Sequence, residues 1–281
     1  MAYTVNLVGT HTDQAVDTCI IPNTNGITLG EILVAHICFF GDGAPGGTDS
    51  VAAPAGWTEQ GLPLIDGGMM YVGTKVATAT EVSASDFTFT ATGTAGNRAL
   101  IGKISKITGG REGNIGYAKA NASSGAGTAT TVTVGTITPS IADSLILFFM
   151  SAGAALPGFS AYAMATSNPS WTEAYDVSYD NANADLSIAF AYASRPETTG
   201  TGNVTATISA DLFWSGLVMA IAPQITTTVA DSTTLTDAAL MGLSTIKTES
   251  VTCTDTADAD EVTVILNQDK NVSTWLNQDK S

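Results

Sequence analysis

A chain of 281 residues with 26 acidic and 10 basic side chains carries a net charge of -16, and only 13% of its residues are charged. That balance excludes a nucleic-acid binder, which needs a dominant basic footprint to displace counterions. Gly, Ala, Ser and Thr fill the gap; they suit the wet faces of sheets and serve poorly on surface helices, so composition alone points to an all-β protein.

Tyr3 to Val8 alternates enough to open the chain as a strand, and His11 to Asn25 is polar and turn-like. Ile32 to Phe40 is a nearly unbroken apolar run closed by Gly41-Asp42-Gly43, as expected of a strand buried on both faces. A long Gly-, Pro- and Asp-rich segment, Gly41 to Gly67, carries Trp57. Strands follow at Met70 to Ala79, at Phe87 to Thr90, where apolar and hydroxyl residues alternate, and at Ala99 to Ile107. Thr128 to Thr138 reads as a bridging strand. Leu145 to Met150 is a second unbroken apolar run, Leu186 to Ala193 and Val204 to Ser209 alternate, and Phe213 to Ile221 closes the series before Pro223. No 3.6-residue apolar period with caps is sustained up to that point.

The chain repeats itself. Glu31 matches Asp143, Trp57 matches Trp171 and Phe87 matches Val204, at displacements of 112 to 117 positions, and both tryptophans open a Trp-Thr-Glu. The expected fold is therefore a β-sandwich or jelly roll of two similar halves, about residues 28–110 and 141–223, within a domain spanning 1–223. Two arrangements satisfy the repeat: one sandwich per half, or both halves interleaved in one larger sandwich. The interleaved form is preferred, because each half offers few strong strands for a sandwich of its own.

After Pro223 the texture changes. The 58 residues from Gln224 to Ser281 hold nine acidic residues and three Lys, and too few apolar residues for a core. A short helix at Thr236 to Met241 and strands at Glu249 to Thr252 and Glu261 to Leu266 are expected there. The segment reads as an extension for contact with a neighbouring subunit or particle.

Candidate chemistry is sparse. The two histidines are His11 and His36, and His36 falls inside a buried run, so a core role outweighs a triad. No Cys/His cluster suits zinc, no Gly-rich loop suits phosphate, and no catalytic residue or cofactor is assigned. Glu59 and Glu173 could form a carboxylate pair, but repeat symmetry explains both. The loop Asp176 to Asp185 offers oxygen ligands, with Asp180, Asn183 and Asp185 as calcium candidates against a plain Asn/Asp turn; Asp255, Asp258, Asp260 and Glu261 form a second acidic group. Six of the ten Lys and Arg fall between Lys75 and Lys119, as solvated edges or as one locally basic face. Trp275 and Leu276, an aromatic and an aliphatic in a polar tail, read as interface anchors. Three cysteines, Cys19, Cys38 and Cys253, are too few and too scattered for a disulfide framework and fit synthesis in a reducing cytoplasm. No secretory signal and no membrane insertion are expected: the start lacks a basic region, and apolar runs fall short of the ~20 residues a membrane helix needs.

The strand after Gly30-Glu31, Ala53-Pro54-Ala55-Gly56-Trp57-Thr58, the strand Tyr71 to Ala79 and the closing Trp214-Ser215-Gly216-Leu217-Val218-Met219-Ala220-Ile221-Ala222-Pro223 together resemble β-sandwich proteins of tailed bacteriophages: virion structural, head-decoration or tail-fibre-like. The similarity covers residues 28–223. It implies a virion protein without catalytic residues, made in the host bacterial cytoplasm. It would bind the major capsid or other virion proteins and itself, as a trimer. The alternative is a fibre adhesin or carbohydrate-binding module contacting host glycans through Trp57, Trp171 and Tyr179.

Overall fold

In the computed structural model the described residues are 3–14, 17–41, 50–65, 68–92, 98–124, 128–153, 158–167, 169–180 and 185–224. They are almost entirely strands. The first half of the chain supplies β1 (Thr4–Gln14), β2 (Thr18–Pro22), β3 (Ile32–Gly41), β4 (Ser50–Ala52), β5 (Thr58–Gly61), β6 (Leu64–Ile65), β7 (Gly68–Val76), a short helix α1 (Ala79–Ser83), β8 (Asp86–Thr92) and β9 (Arg98–Thr108). The second supplies β10 (Gly110–Ser123), β11 (Ala129–Val134), β12 (Ser144–Ala152), β13 (Phe159–Met164), β14 (Thr172–Tyr179), β15 (Leu186–Arg195), β16 (Val204–Leu212) and β17 (Trp214–Pro223).

Each half builds its own pair of antiparallel sheets. The first has a large sheet in the order β1-β9-β3-β7-β5, with β6 also on β7, and a small sheet β2-β8-β4. The second repeats both, as β10-β17-β12-β15-β14 and β11-β16-β13. The repeat is therefore longer than the recognisable sequence match: β1 corresponds to β10, and the stretch expected to bridge the halves is β11, the counterpart of β2. The halves do not interleave within any sheet, which corrects the preferred arrangement.

Three cores give the reason. One lies between the large and small sheets of the first half and holds Cys19, Ile21, Leu33, Phe39, Phe87 and Phe89. Its counterpart in the second half holds Val132, Val134, Ile146, Phe148, Val204 and Val218. The third lies between the two large sheets and takes Val34, Val72 and Ile101 from one half and Leu147, Phe190 and Met219 from the other. The sheets thus stack small, large, large, small. A large-sheet strand is covered on both faces, so β12 is buried at every position from Ser144 to Ala152. A small-sheet strand has one wet face, so Phe87 and Phe89 are buried while Thr88 between them is exposed. A two-layer interleaved sandwich would have left a wet face on every strand and could not have used the unbroken runs.

Registers align the halves residue by residue. Ile37 pairs with Gly102 as Met150 pairs with Gly216. Both glycines admit the small sheet. A Cβ on Gly216 would sit 2.7 Å from Val134 Cγ2 and 3.0 Å from Val132 Cγ1, and one on Gly102 would collide with Cys19 Sγ and come within 3.1 Å of Ile21. The side-chain pairs received are themselves equivalent, Cys19 with Ile21 and Val132 with Val134. Contacts across the seam are reciprocal, as a two-fold relation requires: β3 touches β15 as β12 touches β7, and β1 touches β14 as β10 touches β5. The halves join through Gly109 alone, at φ 84°.

The halves differ at the end after β7 and β15. The first half continues into α1, whose Thr78 and Glu81 form a capping box that overrides the expected strand to Ala79. Burial works against the Glu81 carboxylate, but Lys75 at 2.6 Å and the Thr78 hydroxyl and amide outweigh it and hold its pKa at about 2. The second half has Arg195 instead, fully buried, its guanidinium donating to the carbonyls of Thr166 (2.9 Å), Thr199 (3.1 Å) and Gly200 (3.1 Å).

Overpacking a close-packed core costs about 1–3 kcal/mol. Gly216→Val is expected to lower unfolding free energy by that amount in urea titration. Gly135→Ala, where a Cβ meets nothing within 4 Å, should stay within ~0.5 kcal/mol of the parent.

Candidate functional site

Charged and polar side chains buried at the seam form the most unusual chemical group in the described residues. His36 on β3 faces the second half and is wholly buried. Its Nδ1 lies 3.0 Å from the Tyr175 hydroxyl on β14, and its Nε2 lies 3.7 Å from Cys38 Sγ. The imidazole stands edge-on to Phe149 at 5.2 Å. Lys103, paired with His36 across β9, lies 5.0 Å from the centre of the Tyr175 ring and donates to Thr10 Oγ1 at 3.0 Å. Ser151 bonds both Cys38 and Ser215, the latter at 2.6 Å.

The two-fold relation explains the placement. His36 and Phe149 are equivalent positions, as are Cys38 and Ser151, and each pair is in mutual contact, so the pseudo-dyad passes between them. The flanking positions are filled unequally. Lys103 with Tyr175 on one side corresponds to Leu217 with Gly61 on the other, where Leu217 occupies the space a Gly61 side chain would need. The same geometry carries a cation over an aromatic ring in one copy and an aliphatic against a glycine in the other.

Burial sets the protonation states. It lowers the His36 pKa to about 3, with the Lys103 charge adding to the effect. It pushes the Cys38 thiol and the Tyr175 phenol up, and it lowers Lys103. At neutral pH the imidazole, thiol and phenol are uncharged and face one another with no carboxylate among them. The group fixes the seam, with burial disfavouring the charged forms of its imidazole, thiol and phenol.

The sequence candidates do not converge. Trp57 packs into the first-half core, edge-on to Phe87 at 6.1 Å and Phe89 at 5.3 Å. Trp171 packs into the second-half core beside Phe148 and Tyr162, and Tyr179 packs against the seam. Three aromatics in three cores cannot make one glycan platform. Glu59 and Glu173 are both exposed, on matched strands of different halves. Asp176 to Tyr179 belong to β14 rather than to a loop, and Asp176 Oδ2 accepts from the Phe159 amide at 2.8 Å. Asp180 is exposed and Asp185 half-buried, while Asn183 lies outside the described residues. Among the described residues no three His, Cys, Asp or Glu group as metal ligands.

Of the six basic residues between Lys75 and Lys119, Lys103 lies at the seam and three others are held by local partners. Lys75 is bound to Glu81 and the Ala55 carbonyl, Lys106 to Gly26 and Glu31, and Lys119 to Gln60. Cys19 and Cys38 are buried free thiols. Trp275, Leu276, Cys253, the second acidic group and the elements expected beyond Pro223 lie outside the described residues. No described helix is long and apolar enough to cross a membrane.

An ordinary His has a pKa near 6.5, and folding lowers this one. Its stabilising contribution is therefore complete above about pH 6.5 and is lost as pH falls toward 3. Denaturant titrations at pH 6.5 and 4.5 are expected to differ by about 2 kcal/mol on this account. In His36→Phe, which places the residue of the equivalent position there, that increment should vanish while other acid effects remain. No protein-family model, curated protein or solved structure matches this chain.

Proposed function

We propose that this protein is a non-enzymatic structural component of a tailed-bacteriophage particle, a capsid decoration protein in the first instance and a head- or tail-fibre component in the second. The observation that carries the reading is the use to which buried polar groups are put. His36, Tyr175, Lys103 and Cys38 join one half to the other, and the chemistry left to the molecule is on its outer surfaces.

The supporting features are physical. A stack of four sheets with three cores is a stiff spacer that needs no disulfide. In each half the strands pass back and forth between the large and small sheet, apart from β5-β6-β7 and β14-β15, which stay in the large one, and we read this as jelly-roll-like. A net charge of -16 suits a partner with a complementary basic face and disfavours nucleic acid. The partners on this reading are the major capsid or other virion proteins and further copies of the chain, with the segment after Pro223 as the arm between them. A trimer fits attachment at a symmetry point.

Particles banded by density and probed with an antibody against this protein should carry label on their heads, and its peptides should recur in the banded fraction. Label on tails selects the fibre placement. Abundant protein in the lysate with none in banded particles overturns the reading.

A further inference from the structure

The open edge of the second half, between β13 and β14, is built differently from its counterpart. Both halves have the Trp-Thr-Glu, but β4 is three residues long where β13 has six. The extra length contains a bulge between Ser160 and Ala163, with Ala161 at φ 49°, a conformation an L-residue adopts at a cost. Bulges on edge strands re-aim side chains. Beside this one, the Tyr162 hydroxyl donates to Glu173 Oε2 at 2.8 Å, and the Tyr162 ring stands 6.2 Å from Trp171. A second bulge, between Glu173 and Tyr175, puts Asp176 on the same face as Glu173, opposite Ala189 and Ala191. Glu173 is exposed, and Trp171, Tyr162 and Asp176 are half-buried. In the first half Trp57 meets Phe87 and Phe89 instead, and the tyrosine near Glu59 is Tyr71, a buried residue of the first-half core.

Two aromatic rings and two carboxylates thus share one edge. Tyr162 holds one oxygen of Glu173 and the Phe159 amide holds one oxygen of Asp176, so each carboxylate is fixed in place and can accept at its other oxygen. A metal ion of the calcium type would need six to eight oxygens, and no third ligand group stands here. A ligand matching this edge is rich in hydroxyl donors on its rim and apolar on its face.

We propose that Trp171, Tyr162, Glu173 and Asp176 form a saccharide subsite for a neutral or amino-bearing pyranose. Its C–H face lies against the aromatic pair, and its hydroxyls donate to the two carboxylates. Anionic sugars are excluded by the paired carboxylates and the acidic protein around them. The inference stands apart from the scaffold's place in a particle: banded particles could lack the protein and the subsite still bind, or the reverse.

Saturation-transfer NMR on the full chain tests it with methyl glucoside, glucosamine and glucuronate, each at millimolar concentration. Transfer to the first two is expected, with a Kd on the order of millimolar, together with a shift of the Trp171 indole resonance and no shift for Trp57. Glu173→Gln and Tyr162→Phe should each weaken binding by about tenfold, and Glu59→Gln should leave it unchanged. Absence of transfer to all three sugars, equal binding of glucuronate, or an unmoved Trp171 indole at saturation would each overturn the proposal, whatever the variants do.

Discussion

The structure depends on the seam where the two large sheets cover each other. Each has an inner face of aliphatic and aromatic side chains that water would otherwise meet, a larger apolar patch than a soluble unit tolerates. Closing one face on the other hides both at once and turns the large sheets into middle layers. Everything else follows from that position: the unbroken apolar strands, the glycines that let the small sheets approach, and the polar residues trapped near the pseudo-dyad.

Those trapped residues break the symmetry they sit on. A seam that was apolar on both sides would tolerate sliding, because non-directional burial does not fix a register. The hydrogen bond between His36 and Tyr175 and the cation over the Tyr175 ring exist on one side only. They give the interface a single alignment at the cost of burying groups that prefer water. Burial disfavours charge on the imidazole, thiol and phenol around the Lys103 cation, which is why the group reads as a positioning device.

Much of the architecture was legible, and its failures have a pattern. Ile32 to Phe40 and Leu145 to Met150 announced themselves because burial on two faces removes alternation. Taken at full strength, that same signal argues for four layers, since a two-layer sandwich has no strand covered twice. The strands that escape detection are short, bulged or at edges: Thr18–Pro22 exposes Ile20 in its middle, Gly110–Ser123 is interrupted by glycines and register shifts, and Thr172–Tyr179 runs from Asp176 into the stretch that reads as an oxygen-rich loop, Asp176 to Asp185. Missing them made each half seem too poor in strands to stand as its own sandwich. The Thr78-to-Glu81 capping box is itself readable in the sequence, as a Thr followed three residues later by a Glu. His36 was legible as a core residue, but its partner Tyr175 is 139 positions away and no local pattern joins them.

Gly109 has a consequence for how such a molecule behaves when scarce. Two separate sandwiches meeting through the same faces would part on dilution, because their association would follow mass action. A tether of one residue makes the encounter internal, and its effective concentration no longer depends on how much protein is present. The union costs almost no extra chain and leaves each sandwich free to change its outward sheet independently of its twin.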